Sequence, residues 1–340
     1  MLKLEFLGEL RNRKNLLGFS GGSDSVALFY ALIQNEVYFD IAIVDYGIRE
    51  SSKDEVSYAL DLAHQYQKKC FVFKAPQIAS NFEAKAREIR YGFFERIIDL
   101  KGYENLVLAH QLNDRLEWFL MQLSKGCSLA TLLGFDGIEI RENYRIIRPL
   151  INTPKKLIYA YCHSYKFFED SSNQDMSYKR NEFRLKYTQE LVEKYCTGIA
   201  KSFEYLREEK SFLYPNVAVL RLGEIRFFER GGSLSDIYQT DKILKTMGYV
   251  LSASQRQEIF KMDFSLEIGQ KYIIESNEEY IFVSKSYSFP FAMPKKFKNI
   301  ARILKIPRRI RPQIHFYLDS RGMKPEEMMA YLRKKLCKCE

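Results

Sequence analysis

Apolar and polar positions follow two different rhythms along this chain. In the first half, short apolar runs alternate with stretches of helical period. Leu16-Leu17-Gly18-Phe19, Tyr38 to Asp45, Cys70 to Phe73 and Leu106 to Ala109 read as buried strands. Between them, Val26, Leu28, Phe29, Leu32 and Ile33 mark one helix, and Lys53 to Tyr66 is polar but helix-compatible. Phe82, Ala86, Ile89, Phe93 and Ile97 mark another, as do Leu112, Leu116, Phe119, Leu120 and Leu123. This alternation predicts an α/β fold with a parallel sheet covered on both faces. Ligands of such sheets sit beyond the carboxyl ends of the strands, so the segments just after the strands are where chemistry is expected.

The rhythm changes after about residue 185. Asn181 to Tyr195 and Ile199 to Phe212 read as helices. Short β-like pieces follow at Val217 to Leu222 and Ile225 to Phe228, then a helix from Leu234 to Met247. Ser254 with Gln257 has the spacing of a capping box. Lys271 to Ser284 reads as a hairpin with Ser276-Asn277 near its turn.

Composition narrows the class. The chain has 340 residues, 46% hydrophobic and 28% charged, which is a soluble globular balance with ample core. A formal net charge of +10 favours a polyanionic partner. The charged start, LKLEFLGELRNRKN, does not read as a signal peptide, and no apolar run approaches a membrane span. The six cysteines are scattered, so a reduced, cytoplasmic protein is expected, with Cys337 and Cys339 in a frayed tail.

The sharpest local signal is SGGSDS, Ser20 to Ser25, set between a strand and a helix. Gly21 and Gly22 let backbone N–H groups close on anionic oxygens, and the helix start adds positive potential. Ser20, Ser23 and Ser25 offer hydroxyl donors, and Asp24 can hold a magnesium ion. Asp24 stands where the Walker pattern has lysine. A second cluster lies in LAHQLNDRLEWFLMQLSKG, where Asp114 and Glu117 share a helix face and His110 ends a strand. A third is EDSSNQDMSYKRNEFR, turn-rich and then helical, with Arg180 and Arg184 one turn apart as an anion-binding pair. On the long helix, Glu83 and Arg87 can pair at i, i+4, and Arg90 precedes Tyr91. Lys295 to Arg311 holds eight basic residues and no acid, preceded by Tyr287, Phe289 and Phe291, which suits nucleic acid.

These segments, in this order, resemble the tRNA(Ile)-lysidine synthetases, a family of PP-loop ATP pyrophosphatases. SGGSDS resembles the PP-loop itself. VDYGIRE, EAKAREIRYGFF, LAHQLNDRLEWFLMQLSKG, RPLI and EDSSNQDMSYKRNEFR resemble the family's later segments. The chain departs from the pattern at Tyr46, Asn113, Arg115 and Trp118, where the family has His, Asp, Gln and Thr. The resemblance implies a PP-loop α/β domain over 1–195, of the adenine nucleotide alpha hydrolase type. A helical linker with a small α+β domain over 196–285 and a basic tRNA-binding region over 286–340 would follow. It implies ATP and Mg2+, free L-lysine, and a CAU-anticodon tRNA(Ile) whose wobble cytidine is adenylated at O2 and then attacked at C2 by lysine. By the same resemblance Ser20, Gly21, Gly22, Ser23, Asp24, Ser25 and Val44 bind ATP, with Asp24 on the metal. Asp24, His110, Asp114 and Glu117 are the implied catalytic group, and Arg87, Arg90, Arg180 and Arg184 the implied substrate contacts. The nearest rival is a PP-loop tRNA thiolase, but cluster-dependent thiolases use closely spaced cysteines and no CxxC occurs here. A non-catalytic RNA-binding protein is the rival of another class, and the intact SGGSDS speaks against it.

Overall fold

The apolar runs of the first half become four adjacent strands of a six-stranded sheet. Its strands are β1 (Asn15–Gly18), β2 (Phe39–Asp45), β3 (Cys70–Lys74), β4 (Asn105–Val107), β5 (Ile138–Ile140) and β6 (Arg145–Ile147), in the order β3-β2-β1-β4-β6-β5. All neighbours run parallel except β5, which pairs antiparallel with β6. The computed structural model describes residues 2–47, 51–78, 80–141, 143–169, 179–289 and 292–336. It forms two compact units, Met1–Arg207 and Glu208–Glu340.

The helices of the first unit are α1 (Leu7–Leu10), α2 (Ser23–Gln34), α3 (Ser51–Gln65), α4 (Phe82–Lys101), α5 (Leu112–Leu123), α6 (Leu129–Leu132), α7 (Lys155–Cys162), α8 (Lys179–Phe183) and α9 (Gln189–Leu213). The boundary between the units falls inside α9. Because strand side chains alternate, Leu16 and Leu17 enter opposite cores. Leu17 packs with Phe29, Leu32, Leu62 and Ile158 from α2, α3 and α7. Leu16 packs with Phe93, Phe94 and Ile98 from α4. The sheet is therefore covered on both faces, as the pattern predicts. The short strands β5 and β6 escape the sequence reading because neither carries an unbroken apolar run: Glu139 interrupts β5, and β6 offers only Ile146 and Ile147 between arginines.

The strand order reverses between β1 and β4, which opens a crevice beyond their carboxyl ends. The opposite ends are fastened by asparagines. The Asn15 side-chain amide donates to the carbonyls of Leu10, Arg13 and Tyr38 at 2.7–3.0 Å. Asn105 donates to Asn15 Oδ1 at 2.8 Å.

The second unit is built on an antiparallel sheet ordered β7-β8-β11-β10-β9. These strands are β7 (Leu220–Leu222), β8 (Ile225–Glu229), β9 (Leu266–Ile268), β10 (Tyr272–Ser276) and β11 (Tyr280–Lys285). Helices α10 (Ser233–Thr246) and α11 (Ala253–Lys261) bury one face with Phe228, Ile274 and Ile281. Helices α12 (Lys295–Ile303), α13 (Arg311–Asp319) and α14 (Pro325–Leu336) bury the other with Phe227, Ile273 and Phe282. The hairpin turns at Asn277, whose Oδ1 accepts from the N–H groups of Glu279 and Tyr280 at 2.9 and 2.7 Å. The capping box is formed by Ser252 and Gln255, not by Ser254 and Gln257. The same spacing occurs twice, and burial of Leu251 beside Ile259 selects the earlier pair. The two expected helices at 181–195 and 199–212 are α8, a π-helical turn at Arg184–Thr188, and α9 with a break at Tyr195 (φ −130°, ψ 21°).

Replacing Asn15 by leucine removes the two N–H donors that these three carbonyls share, and a buried acceptor left unsatisfied costs roughly 1–3 kcal/mol. Urea unfolding of Asn15→Leu is expected to show a loss of at least about 2 kcal/mol. An unchanged midpoint would remove the asparagine fastening as a source of stability.

Candidate active site

Three helix N-termini meet at the carboxyl end of the sheet, and each is set there by a different device. The loop after β1 turns on Gly21, whose φ of +77° suits glycine. A Cβ there would stand 3.2 Å from the Phe168 ring and 3.3 Å from Glu55 Cγ. The Phe168 N–H donates to the Gly21 carbonyl at 3.0 Å and closes the turn from outside. Ser25 Oγ donates to the Gly22 carbonyl at 2.9 Å and lies 3.2 Å from Ser20 Oγ. The first backbone bond of α2 runs from Val26 N–H to Gly22 O at 3.0 Å. The N–H groups of Ser23, Asp24 and Ser25 precede it, so they remain for an anion. The loop is a phosphate cradle by geometry as well as by sequence.

The second N-terminus is that of α5. Gln111 caps it, accepting from Asn113 N–H at 2.6 Å, while Asp114 Oδ2 accepts from Gln111 N–H at 3.1 Å. The third is that of α7, which starts after Pro154. Segment 152–155 is stitched to the first turn of α5 by three bonds. Leu112 N–H donates to Thr153 O at 3.1 Å, Lys155 N–H to Asn113 Oδ1 at 3.0 Å, and Arg115 Nη1 to Asn152 Oδ1 at 2.9 Å. Lys155 Nζ then reaches the loop, 2.7 Å from Asp24 Oδ1 and 3.0 Å from Ser23 Oγ.

The carboxylates predicted from sequence are brought together with the two arginines. Glu117 is 1% exposed, and Arg184 bonds it twice, at 2.8 and 3.2 Å, while Arg180 Nε bonds it at 3.1 Å. Arg180 Nη2 also bonds Asp114 Oδ1 at 3.1 Å. A carboxylate this deeply buried is tolerated because two guanidinium groups compensate it. The π-helical turn beginning at Arg184 lies where this pair must keep its aim. The expected pairing of Glu83 with Arg87 gives way to another arrangement. Glu83 turns to Arg180 at 3.8 Å, and Arg87 stacks on Tyr91 with its cation 4.8 Å from the ring centre.

The local field separates the titrating groups. Burial pushes Asp24 up to about 6, against the pull of Lys155 and with a further push from Asp114. Burial also raises the Asp114 carboxyl, but Arg180, His110, Arg184 and the Gln111 N–H outweigh it and hold it below the ordinary range. His110 is lowered to about 3 by burial, opposed by Asp114 and reinforced by Arg148, Arg90 and Arg180. Arg148 Nε donates to His110 Nδ1 at 3.4 Å, so the neutral ring carries its proton on Nε2. Arg148 is itself buried and held by Asp136 O at 2.6 Å and Glu139 Oε2 at 2.9 Å.

Of the remaining expected residues, Val44 lies in β2 next to its carboxyl end, and Arg90 is close enough to influence His110. Arg87 is exposed and is not joined to the carboxylate cluster. Residues 48–50, 170–178, 291 and 337–340, which include the turn-rich part of the third motif and the terminal cysteines, lie outside the described residues. Sequence reasoning missed Lys155 and Arg148. Nothing local in NTPKK points to a loop so distant in sequence, although RPLI directly precedes it. Among the described residues no group of three or more His, Cys, Asp or Glu side chains could hold a metal ion. A lone carboxylate such as Asp24 fits magnesium carried mainly by phosphates and water.

The profile of the PP-loop domain family matches residues 2–191, more than half of the chain. A tRNA(Ile)-lysidine synthase of Helicobacter pylori is 49% identical over 91% of this chain and 91% of its own length. Those of Wolinella succinogenes and Campylobacter jejuni are 42% and 39% identical, each over 92% of this chain and 96% of theirs. The chain belongs to the tRNA(Ile)-lysidine synthase family. It is an ATP-using ligase that modifies tRNA, and no helix among the described residues is long and apolar enough to cross a membrane.

Within a lysidine synthase, the departures at α5 acquire physical explanations. Asn113 caps α7 through Lys155 N–H. Arg115 is fully buried, stacked 4.2 Å over Phe203 and bonded to Asn152. Trp118 Nε1 donates to Thr131 O at 3.0 Å and fills the space where a Cβ on Gly134 would come within 2.4 Å of it. Tyr46 OH donates to Ala86 O at 2.9 Å, which ties the end of β2 to α4. None of the four joins the Asp114–Glu117–arginine cluster.

A histidine protonated only near pH 3 does not gain charge in the physiological range. Below about pH 6.5 the unfolded chain binds a proton there that the folded chain refuses, so this group costs stability as pH falls. The His110 ring proton resonances are expected to stay constant from pH 8 to pH 5 by NMR. A midpoint above pH 6 would contradict the neutral assignment.

Proposed function

We propose that the crevice joins free L-lysine to C2 of the wobble cytidine of a CAU-anticodon tRNA(Ile), with ATP first adenylating the cytidine O2. The observation that carries this reading is the meeting of a phosphate cradle with paired carboxylates and arginines at one sheet end. Ser20 to Ser25 would hold the ATP phosphates, and Val44 would border the nucleoside. Asp24 would carry Mg2+, which neutralises phosphate charge when bound.

Cytosine C2 is a poor electrophile until O2 becomes part of a leaving group. The chain's residues can stabilise that change. His110 presents Nε2–H, a donor suited to a carbonyl oxygen. Arg180 and Arg184 offer positive charge where phosphate charge develops. Asp114 is held as an anion, which makes it a weak proton acceptor but a good anchor for an ammonium group. Lysine must reach C2 as a free amine, because an ammonium nitrogen has no lone pair. Glu117 keeps both arginines aimed. Arg90 stands ready for the polynucleotide, and Arg87 would contact it further out.

The basic C-terminal stretch fits the tRNA body. Lys298, Arg302, Arg308 and Arg311, with Met293 and Asn299, line a cavity of about 280 Å3. Among the described residues no carboxylate lines it, and burial with the neighbouring Arg308 and Arg302 pushes the Arg311 guanidinium below its ordinary range. Such a cluster suits phosphate.

Asp24→Ala is expected to lower AMP release, in the presence of ATP, tRNA and lysine, by at least about 100-fold. Retained turnover would refute the role of this loop. Replacing Lys298, Arg302 and Arg308 by alanine should weaken tRNA binding and reduce its salt slope by about one unit per lost phosphate contact. An unchanged slope would leave the cavity without a role in tRNA binding.

A further inference from the structure

The loop has the fold of a phosphate cradle but lacks the lysine that a Walker loop carries, since Asp24 occupies that place. The structure supplies a lysine to the same spot from elsewhere. Lys155 Nζ stands 2.7 Å from Asp24 Oδ1 and 3.0 Å from Ser23 Oγ, at the first turn of α2. These two bonds use two of its three N–H donors, and its side chain is 25% exposed. The ammonium also lies 4.7 Å from the centre of the Tyr159 ring, which supports it from the side.

The placement is built. Lys155 begins α7, and its backbone N–H is fixed by Asn113 Oδ1. Helix α7 is held against α2 by Cys162 Sγ, 3.1 Å from the Ser23 carbonyl, inside a shared core with Ile158 and Phe29. A surface lysine holding a surface aspartate would need none of this.

We propose that Lys155 is a phosphate-binding residue of the ATP site, doing from α7 what the Walker lysine does from within its own loop. Its remaining N–H donor meets the β- or γ-phosphate, and its contact with Asp24 keeps the extended side chain aimed at the loop before nucleotide arrives. Asn113 is then the residue that positions Lys155. The proposal rests on the reading that ATP lies on Ser20 to Ser25.

Calorimetric titration of the full chain with ATP and, separately, with AMP tests it, using Lys155→Met, Lys155→Arg and Gly21→Val. The expected result is that Lys155→Met weakens ATP at least about tenfold and AMP less than twofold, while Lys155→Arg keeps most of the ATP affinity. Cooperative melting of each variant, followed by circular dichroism, certifies the fold. If Lys155→Met does not fold, Lys155→Gln, which keeps a donor for Ser23 but no charge, takes its place under the same criterion. Unchanged ATP affinity, or an equal loss for ATP and AMP, would overturn the proposal. If Gly21→Val binds ATP as the unaltered chain does, the loop reading itself fails. Loss in Gly21→Val with none in Lys155→Met sinks only the lysine.

Discussion

Charge compensation between distant segments is the constraint on which this crevice depends. Glu117 is buried, and Arg180 and Arg184 close over it as ion-pair partners. Asp24 sits in a desolvated position and has Lys155 beside it. Neither pair is local in sequence, so neither forms until the sheet and its helices are assembled. The site and the fold are therefore one cooperative object. Removing one partner leaves the other as an uncompensated charge, which is far costlier than never having had the pair.

Helix α5 shows how the chain divides labour among five residues. Asp114 and Glu117 face the arginines. Asn113 and Arg115, on other faces, fasten segment 152–155. Trp118 packs on the Gly134 turn. The departures from the family pattern fall on the fastening positions, and the charged pair that meets Arg180 and Arg184 is kept. An acid at 113 is dispensable for this architecture because the position contributes a hydrogen-bond acceptor to a backbone N–H, and a neutral amide oxygen serves equally well.

Much of the fold was legible because buried strands and amphipathic helices leave strong periods in the sequence. SGGSDS was legible because its chemistry is local: a turn, two glycines and a helix start. Asp114 with Glu117, and Arg180 with Arg184, were legible as pairs on one helix face, but not as partners of each other. That Arg180 and Arg184 first serve to neutralise Glu117 is a tertiary fact. Lys155 was invisible for the same reason, since its partner lies 131 residues earlier. The strands β5 and β6 lack the unbroken apolar run that marks β4, and the capping box was misplaced because Ser-x-x-Gln occurs twice within six residues.

The chain offers two places where polyphosphate could rest: the glycine turn after β1, and the cavity formed by Lys298, Arg302, Arg308 and Arg311. Under the proposed function the nucleotide belongs on the first and RNA on the second. A crystal structure with a non-hydrolysable ATP analogue decides between them most directly. Phosphates lying on the N–H groups of Ser23 to Ser25, with Lys155 Nζ in contact, are the predicted result. A triphosphate tail settled in the basic cavity, with the glycine turn left to solvent, would contradict the account.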